Sequence, residues 1–286
     1  MIVFEKTKEL QDHISELKNK GLTIGFTPTM GALHDGHFSL IQNSNEQNDV
    51  SICSIFVNPT QFNQSSDLDK YPRTLEQDIV GLEKVGCDIL FAPSVGEIYP
   101  NGSDYEVEVD LEGLEAKMEG EHRPGHFDGV VQVVKRLLDI TSCDRLYMGQ
   151  KDFQQFTIIN KMIEHLKMEV QLVVCPILRE EDGLAMSSRN VRLTKQHRKK
   201  ASIIYRVLCQ AKEWLAEGKS SVEISYKAME YLDLPGFKPE YFDIIDGKKL
   251  EKFKDTEPPD LIVACVAIWA GEVRLIDNMI LRGSLS

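Results

Sequence analysis

The sequence has no C-x-x-C pair, no apolar run near the length a bilayer requires, no internal repeat and no low-complexity segment. Its six cysteines (Cys53, Cys87, Cys143, Cys175, Cys209 and Cys265) are scattered and sit mostly in apolar runs. That pattern reads as buried free thiols in a reducing compartment, not a disulfide framework. Met1 to Leu10 lacks the apolar core of a signal peptide, and no stretch approaches the roughly 20 apolar residues of a membrane span, so the expected location is the cytoplasm. Basic residues are also few: 33 Lys and Arg stand against 45 Asp and Glu, a net charge of −12. This balance argues against non-specific binding to nucleic acid or to an anionic membrane, since both need a basic surface. An anionic substrate would have to meet positive charge that is local and concentrated.

What is present is ordinary globular material: 286 residues, 42% hydrophobic and 27% charged, enough for one large or two modest domains. The first part alternates strand-like with helix-like segments. Gly21–Thr27, Val50–Val57, Cys87–Ala92, Arg145–Met148 and Val170–Val174 read as strands. Gly36–Asn48, Thr74–Val85, Gly129–Ile140 and Asp152–Leu166 read as helices. Such alternation predicts an α/β fold with a parallel sheet covered on both faces, and a ligand site at the carboxyl ends of its strands. The last third differs. Lys195–Glu217 reads as one long amphipathic helix and Ser221–Leu232 as another, and Tyr241–Ile245, Leu261–Trp269 and Glu272–Ile276 read as strands. This is α+β patterning, so the expected division is a domain over residues 1–183 and a smaller one over 184–286.

The most informative segment is Thr29-Met30-Gly31-Ala32-Leu33-His34-Asp35-Gly36-His37, between a predicted strand and a predicted helix. A strand that turns through glycines into a helix offers backbone N–H groups and a positive helix end to an anion. Two imidazoles there add donors that can follow a phosphate as its charge grows. A metal pair is the competing reading, but Asp35 and Gly36 lie between the histidines and the H-E-x-x-H arrangement is missing. The glycines favour close backbone approach to a phosphate.

Three further segments flank predicted strand ends. Asn58-Pro59-Thr60-Gln61 brings amides suited to a carboxylate or a neutral polar group, although Asn58-Pro59 is also an ordinary turn. Gly149-Gln150-Lys151-Asp152 places a cation at a strand-to-helix turn, short of a full P-loop, with Asp152 a candidate helix cap and Gln155 one turn on. Arg179 to Arg189 holds the hydroxyls of Ser187 and Ser188 beside Arg189, able to wrap a triphosphate or to serve as a lid, a cap or an interdomain loop. The acidic run Glu180 to Asp182 is expected to face solvent. Arg123 and His126, in a loop rich in cations, are not assigned to a site on these grounds.

The segments P-T-M-G-A-L-H-D-G-H, F-V-N-P-T-Q-F, Y-P-R-T-L, R-P-G-H-F, K-D-F-Q-Q and D-G-L-A-M-S-S-R-N, in this order and spacing to about Leu193, closely resemble the pantothenate synthetase (pantoate–β-alanine ligase) family. The likeness continues weakly to V-R-L-I-D-N near Asn278. It implies a Rossmann-like parallel-sheet nucleotidyltransferase domain, related to class I aminoacyl-tRNA synthetases, followed by a smaller α+β lid domain. It implies an ATP-dependent, AMP-forming ligase in the pathway to coenzyme A that joins pantoate to β-alanine through pantoyl adenylate, with Mg²⁺ accompanying ATP and no metal ligand assigned in the protein. Carried over residue by residue, the ATP contacts fall on Met30, Gly31, His34, Asp35, Gly36, His37, Gly149, Gln150, Lys151, Asp152, Leu178, Met186, Ser187, Ser188 and Arg189. His37, as proton donor, His34 and Lys151 are the implied catalytic residues. Pantoate falls on Gln61, Gln155 and Asn58, and β-alanine on Gln61. The family is typically homodimeric, which is the expectation here. One position departs: Gln150 stands where Gly-Glu-Lys-Asp is common. Two other classes stay in play: a nucleotidyltransferase acting on a phosphorylated acceptor, for which arginines near Gln61 would be expected, and a nucleotide-binding sensor that has lost its chemistry.

Overall fold

The computed structural model describes residues 1–62, 68–69, 71–102 and 107–285. Its chain divides into two compact units, one of residues 1–149 with 154–175, the other of 150–153 with 176–286. The change of unit at the end of the parallel sheet thus falls between Cys175 and Pro176, ahead of the 183/184 division read from the sequence, and the short stretch 150–153 groups with the later residues.

In the first unit a six-stranded, all-parallel sheet runs in the order β1-β4-β3-β2-β5-β6. The strands are β1 Ile2–Phe4, β2 Ile24–Thr29, β3 Val50–Ile55, β4 Ile89–Phe91, β5 Arg145–Gly149 and β6 Gln171–Cys175. Every residue of β4, and all of β3 but Ile55, is buried, as expected of strands covered on both faces. The chain steps from β2 outward to β4 and then returns to set β5 on the other side of β2. The strand order reverses there, so the carboxyl ends of β2 and β5 form the switch point at which such sheets place their ligands.

Helices α1 Thr7–Asn19, α2 Asp35–Gln47, α3 Leu75–Lys84, α4 His126–Thr141 and α5 Phe153–His165 connect these strands. Neither β1 nor α1 is among the elements expected from the sequence. The strand is three residues long and mostly exposed. The helix does carry an apolar stripe, Leu10, Ile14 and Leu17 at helical spacing, which the reading of the sequence passes over. The cysteines are all free and only Cys209 is not buried. Burial pushes the thiols of Cys87 and Cys175 up to about 11 and that of Cys143 up to about 12, so these groups stay protonated and unreactive at neutral pH.

The second unit carries an antiparallel sheet, β7 Phe237–Asp246, β8 Ile262–Ala270 and β9 Val273–Arg282, in that order. Strands β7 and β9 are longer than the sequence pattern suggests. The predicted helix Lys195–Glu217 is two helices, α6 Lys195–Lys200 and α7 Ile203–Ala216, followed by α8 Ser221–Leu232. The break at Ala201–Ser202 is tight: Ala201 is fully buried and its carbonyl accepts from Ile204 N–H, three residues on rather than four. The core of this unit joins Leu208 and Ala211 of α7 and Ile224 and Ala228 of α8 to Ala264 and Val266 of β8.

Candidate active site

In the first unit the segment after β2 builds its own frame. Gly31 has φ +81°, a conformation open to glycine, and a Cβ there would meet Ile55 Cγ2 at 3.0 Å and Asp78 Oδ2 at 3.1 Å. Ala32 follows with φ +51°. His34 then caps α2. Its Nδ1 accepts from Gly36 N–H at 3.1 Å, and its own N–H donates to His37 Nδ1 at 3.4 Å, a capping box made of imidazoles. The rings lie 4.1 Å apart between centroids. Because both Nδ1 atoms accept backbone N–H bonds, the proton of each neutral ring sits on Nε2. Each ring therefore has a donor on the side away from its cap, at the positive end of a helix of 13 residues.

Asp78, which no sequence motif singles out, holds this turn from α3. Only 3% exposed, it accepts Ala32 N–H at 2.9 Å and Leu33 N–H at 2.8 Å, and also Thr74 Oγ1–H. A signal was there: Asp78 sits in the stripe of Leu75, Ile79 and Leu82, a carboxylate on the apolar face of a helix.

The amide cluster lies in the same unit. Pro59–Gln61 is a single 3-10 turn after β3, and Asn58 caps it. Asn58 is 1% exposed and fully engaged: the two hydrogens of Nδ2 go to Thr60 Oγ1 at 2.9 Å and the Gly129 carbonyl at 3.1 Å, with Gln61 Oε1 sharing one of them at 3.4 Å, and Oδ1 accepts from Tyr99 O–H at 3.0 Å. Gln61 Nε2 donates to Met30 Sδ at 2.8 Å, bringing the amide turn to the start of the histidine loop. His126 Nδ1 donates to the Gln61 carbonyl at 2.8 Å, which fixes that ring's proton on Nδ1 in its neutral form. Helix α4 comes close because it has Gly129: a Cβ there would lie 2.6 Å from the Thr60 carbonyl oxygen. Gln155 is half-buried on α5, and Arg123 lies just before α4.

The second unit holds the other candidates. Gln150 Nε2 donates to Asn278 Oδ1 at 3.1 Å, and Asn278 Nδ2 donates to the carbonyls of Gln150 and Lys151 at 2.9 Å each. Leu178 and Met186 pair across a hairpin, Met186 N–H to the Leu178 carbonyl at 3.1 Å, with a bridge between Arg179 and Ala185 inside it. Ser187 then caps the 3-10 turn Ser188–Arg192, its Oγ accepting Arg189 N–H at 3.3 Å. Asp152 is half-buried just before α5, and Asp35 is exposed. Of the acidic run, Glu181 and Asp182 are exposed. The Arg198 guanidinium, 2.5 Å away, holds the Asp182 carboxyl below its ordinary value. Among the described residues, no three His, Cys, Asp or Glu side chains are grouped to hold a metal ion.

Fold and site place the chain in a class, the Rossmann-like α/β enzymes whose working loops leave the carboxyl ends of a parallel sheet. A family model described as pantoate-beta-alanine ligase matches residues 2–280. A pantothenate synthetase of Caldicellulosiruptor bescii is 44% identical over 284 residues, covering 99% of each chain. One from Bacteroides fragilis is 43% identical and covers 98% of each. The crystal structure of pantothenate synthetase from Thermus thermophilus superposes with a TM-score of 0.91 at 38% identity, covering 99% of this chain and 100% of that one. The Francisella tularensis pantoate-beta-alanine ligase, solved with beta-gamma ATP and beta-alanine, gives 0.80 at 37% identity and 98% of each chain. The chain belongs to the pantoate–β-alanine ligase family.

Proposed function

We propose that this protein condenses pantoate with β-alanine at the expense of ATP, giving pantothenate, AMP and pyrophosphate. Family membership along residues 2–280 carries the reading, and the imidazole-capped turn at the end of β2 gives it a chemical basis. In the first step the pantoate carboxylate attacks the α-phosphorus and pyrophosphate leaves. In the second the β-alanine amine attacks the acyl carbon of pantoyl adenylate and AMP leaves. A carboxylate is a poor acyl donor, and adenylation supplies the leaving group. The protein has to position reactants and stabilise phosphate charge.

In the first unit, the Nε2–H groups of His34 and His37 donate to phosphate oxygens, with Met30, Gly31, Asp35 and Gly36 shaping the approach, and His37 supplies a proton as charge develops. Gln61 and Gln155 hold pantoate by amides, which leave its carboxylate nucleophilic where an arginine pair would damp it, and Gln61 also meets β-alanine. Asn58, already saturated, contributes by fixing Gln61. Gly149, at the end of β5, leads into Gln150, Lys151 and Asp152, and in the second unit Leu178, Met186, Ser187, Ser188 and Arg189 complete the ATP contacts. Mg²⁺ arrives with ATP, held by phosphates and water. The protein works as a homodimer, as the family resemblance implies, in the cytoplasm, where its free thiols remain reduced.

The test is AMP release from MgATP with pantoate and β-alanine together and with each omitted. Pyrophosphate with pantoate alone, and AMP with pantothenate only when both are present, is the expected outcome. ATP binding without AMP under any combination would return the sensor reading.

A further inference from the structure

Two consecutive residues of β9, Asp277 and Asn278, are 3% and 1% exposed, and polar residues so deeply buried have to be satisfied by specific partners. Their partners are the chain segments that carry Lys151 and Ser187–Arg189. Asn278 spends both amide hydrogens on the carbonyls of Gln150 and Lys151 and its oxygen on Gln150 Nε2. That assignment has one sense only. Exchanging the oxygen and nitrogen would set an oxygen against two carbonyls and an NH2 against an NH2. The two backbone carbonyls set the sense of the Asn278 amide, and the Gln150 side chain completes the lock by donating to its oxygen, a bond for which a glutamate at 150 has no hydrogen at neutral pH.

Asp277 does the same work one residue earlier. Its carboxylate takes both arms of Arg179, at 2.6 and 3.0 Å, and Asn278 N–H at 2.8 Å. Arg179 also donates to the Gly183 carbonyl at 3.1 Å and lies 4.3 Å from the centroid of the Tyr205 ring. The base of the hairpin before Met186 is thereby fixed to β9.

We propose that Asn278 is a positioning residue for Lys151 in nucleotide use, locked by Gln150, and that Asp277 positions the 178–189 segment through Arg179. The inference rests on the reading of Lys151 as a phosphate contact. A lysine reaches its phosphate from a backbone that must stay put, and displacement by about 1 Å costs on the order of a hundredfold.

The experiment is a double-variant cycle in the full-length protein with Asn278→Ala, Lys151→Ala and both, reading ATP affinity by calorimetry and kcat and KM for ATP and for pantoate by turnover. Asn278→Ala is expected to weaken ATP use about tenfold or more. The pantoate KM should stay within about twofold, and the same substitution should add less than about twofold once Lys151 is alanine. Gln150→Leu keeps Asn278 but removes its lock. It is expected to give a smaller loss of the same kind, also absent beside Lys151→Ala, and it decides the matter if Asn278→Ala does not fold. Losses that multiply with Lys151→Ala, or that fall equally on ATP and pantoate, would overturn the positioning role while leaving Lys151 in place. A Lys151→Ala protein that binds and uses ATP like the parent would instead remove the phosphate-contact reading itself, and the positioning role with it.

Discussion

The histidine turn of the first unit and the lysine and serine segments of the second are secured in different ways. His34 and His37 are held largely by neighbours: the capping bonds span two and three residues of sequence, and Asp78 adds support from farther along. Lys151 and the hairpin before Ser187 are held from β9, about a hundred residues or more away in the chain. A turn that organises itself should lose chemistry before it loses shape when a histidine is changed. A segment anchored by a distant buried charge should lose shape first.

The sharpest way to break the second arrangement is Arg179→Met. It leaves the Asp277 carboxylate, whose side chain is 2% exposed, without its cation, and breaking one half of such a pair costs about 3–5 kcal/mol. Urea denaturation should show that loss at pH 7. The sign with pH follows from the folded state. Burial already pushes the Asp277 carboxyl above its ordinary value, while Arg179, the Asn278 N–H and Lys151 pull it down. Without Arg179 the folded carboxyl rises further above the unfolded one and binds more protons than the unfolded chain does. Stability of the variant should therefore increase as pH falls toward 5 and decrease as pH rises. A loss under about 1 kcal/mol, or the opposite slope, would mean that the pair does not secure the hairpin.

The first arrangement is sharpened by His37→Ala and His34→Asn. His37→Ala should slow adenylate formation by about 3 kcal/mol of barrier, the scale of losing one donor to developing charge. Asparagine is a good helix cap, so His34→Asn keeps the capping bond and removes Nε2–H. It should unfold within a few tenths of a kcal/mol of the parent yet fail in pyrophosphate release with pantoate. Parental turnover in either protein would remove the histidines from the chemistry.

This difference also governs what can be read from the chain. The His34–His37 motif, the amide turn at Asn58–Gln61 and the Lys151 turn all stand at strand ends that alternation makes visible, so the parallel sheet and the candidate residues are legible in one dimension. Their supports are not. Asp277 and Asn278 lie just past the predicted end of a strand at Ile276, and only the pairing of β9 with β8 shows them buried inside it. The helix break at Ala201–Ser202 has no glycine or proline to mark it, and both residues keep right-handed helical dihedrals, so the local sequence carries no sign of it. The bonds of Asn58 to Tyr99 and Gly129 likewise depend on the fold and leave no trace in its residue type.

Asp78→Asn probes the remote support of the histidine turn. An amide offers one acceptor oxygen where the carboxylate offers two, so either Ala32 N–H or Leu33 N–H loses its partner and faces an NH2. A buried donor left unsatisfied costs about 1–3 kcal/mol. The expected result is a stability loss of that size by urea denaturation, with a fall in kcat larger than the rise in ATP KM, because the loop that presents the imidazoles is disordered before ATP affinity is lost. Unchanged stability and kcat would show that the turn does not depend on Asp78.

The smallest effect belongs to Gln61→Ala. The Gln61 amide touches Met30 Sδ and Asn58 Nδ2, neither a strong partner, so its removal should cost little stability. Its loss should fall on pantoate. One or two neutral hydrogen bonds to that substrate are worth about 1.4 kcal/mol, a roughly tenfold rise in pantoate KM. The KM for ATP should hold, because Met30 is placed by the backbone at Gly31 and Ala32 and not by the amide. Equal rises for both substrates would mean that the Gln61–Met30 contact transmits the change into the histidine loop, and that the amide turn and the histidine turn are one structural element rather than two neighbouring ones.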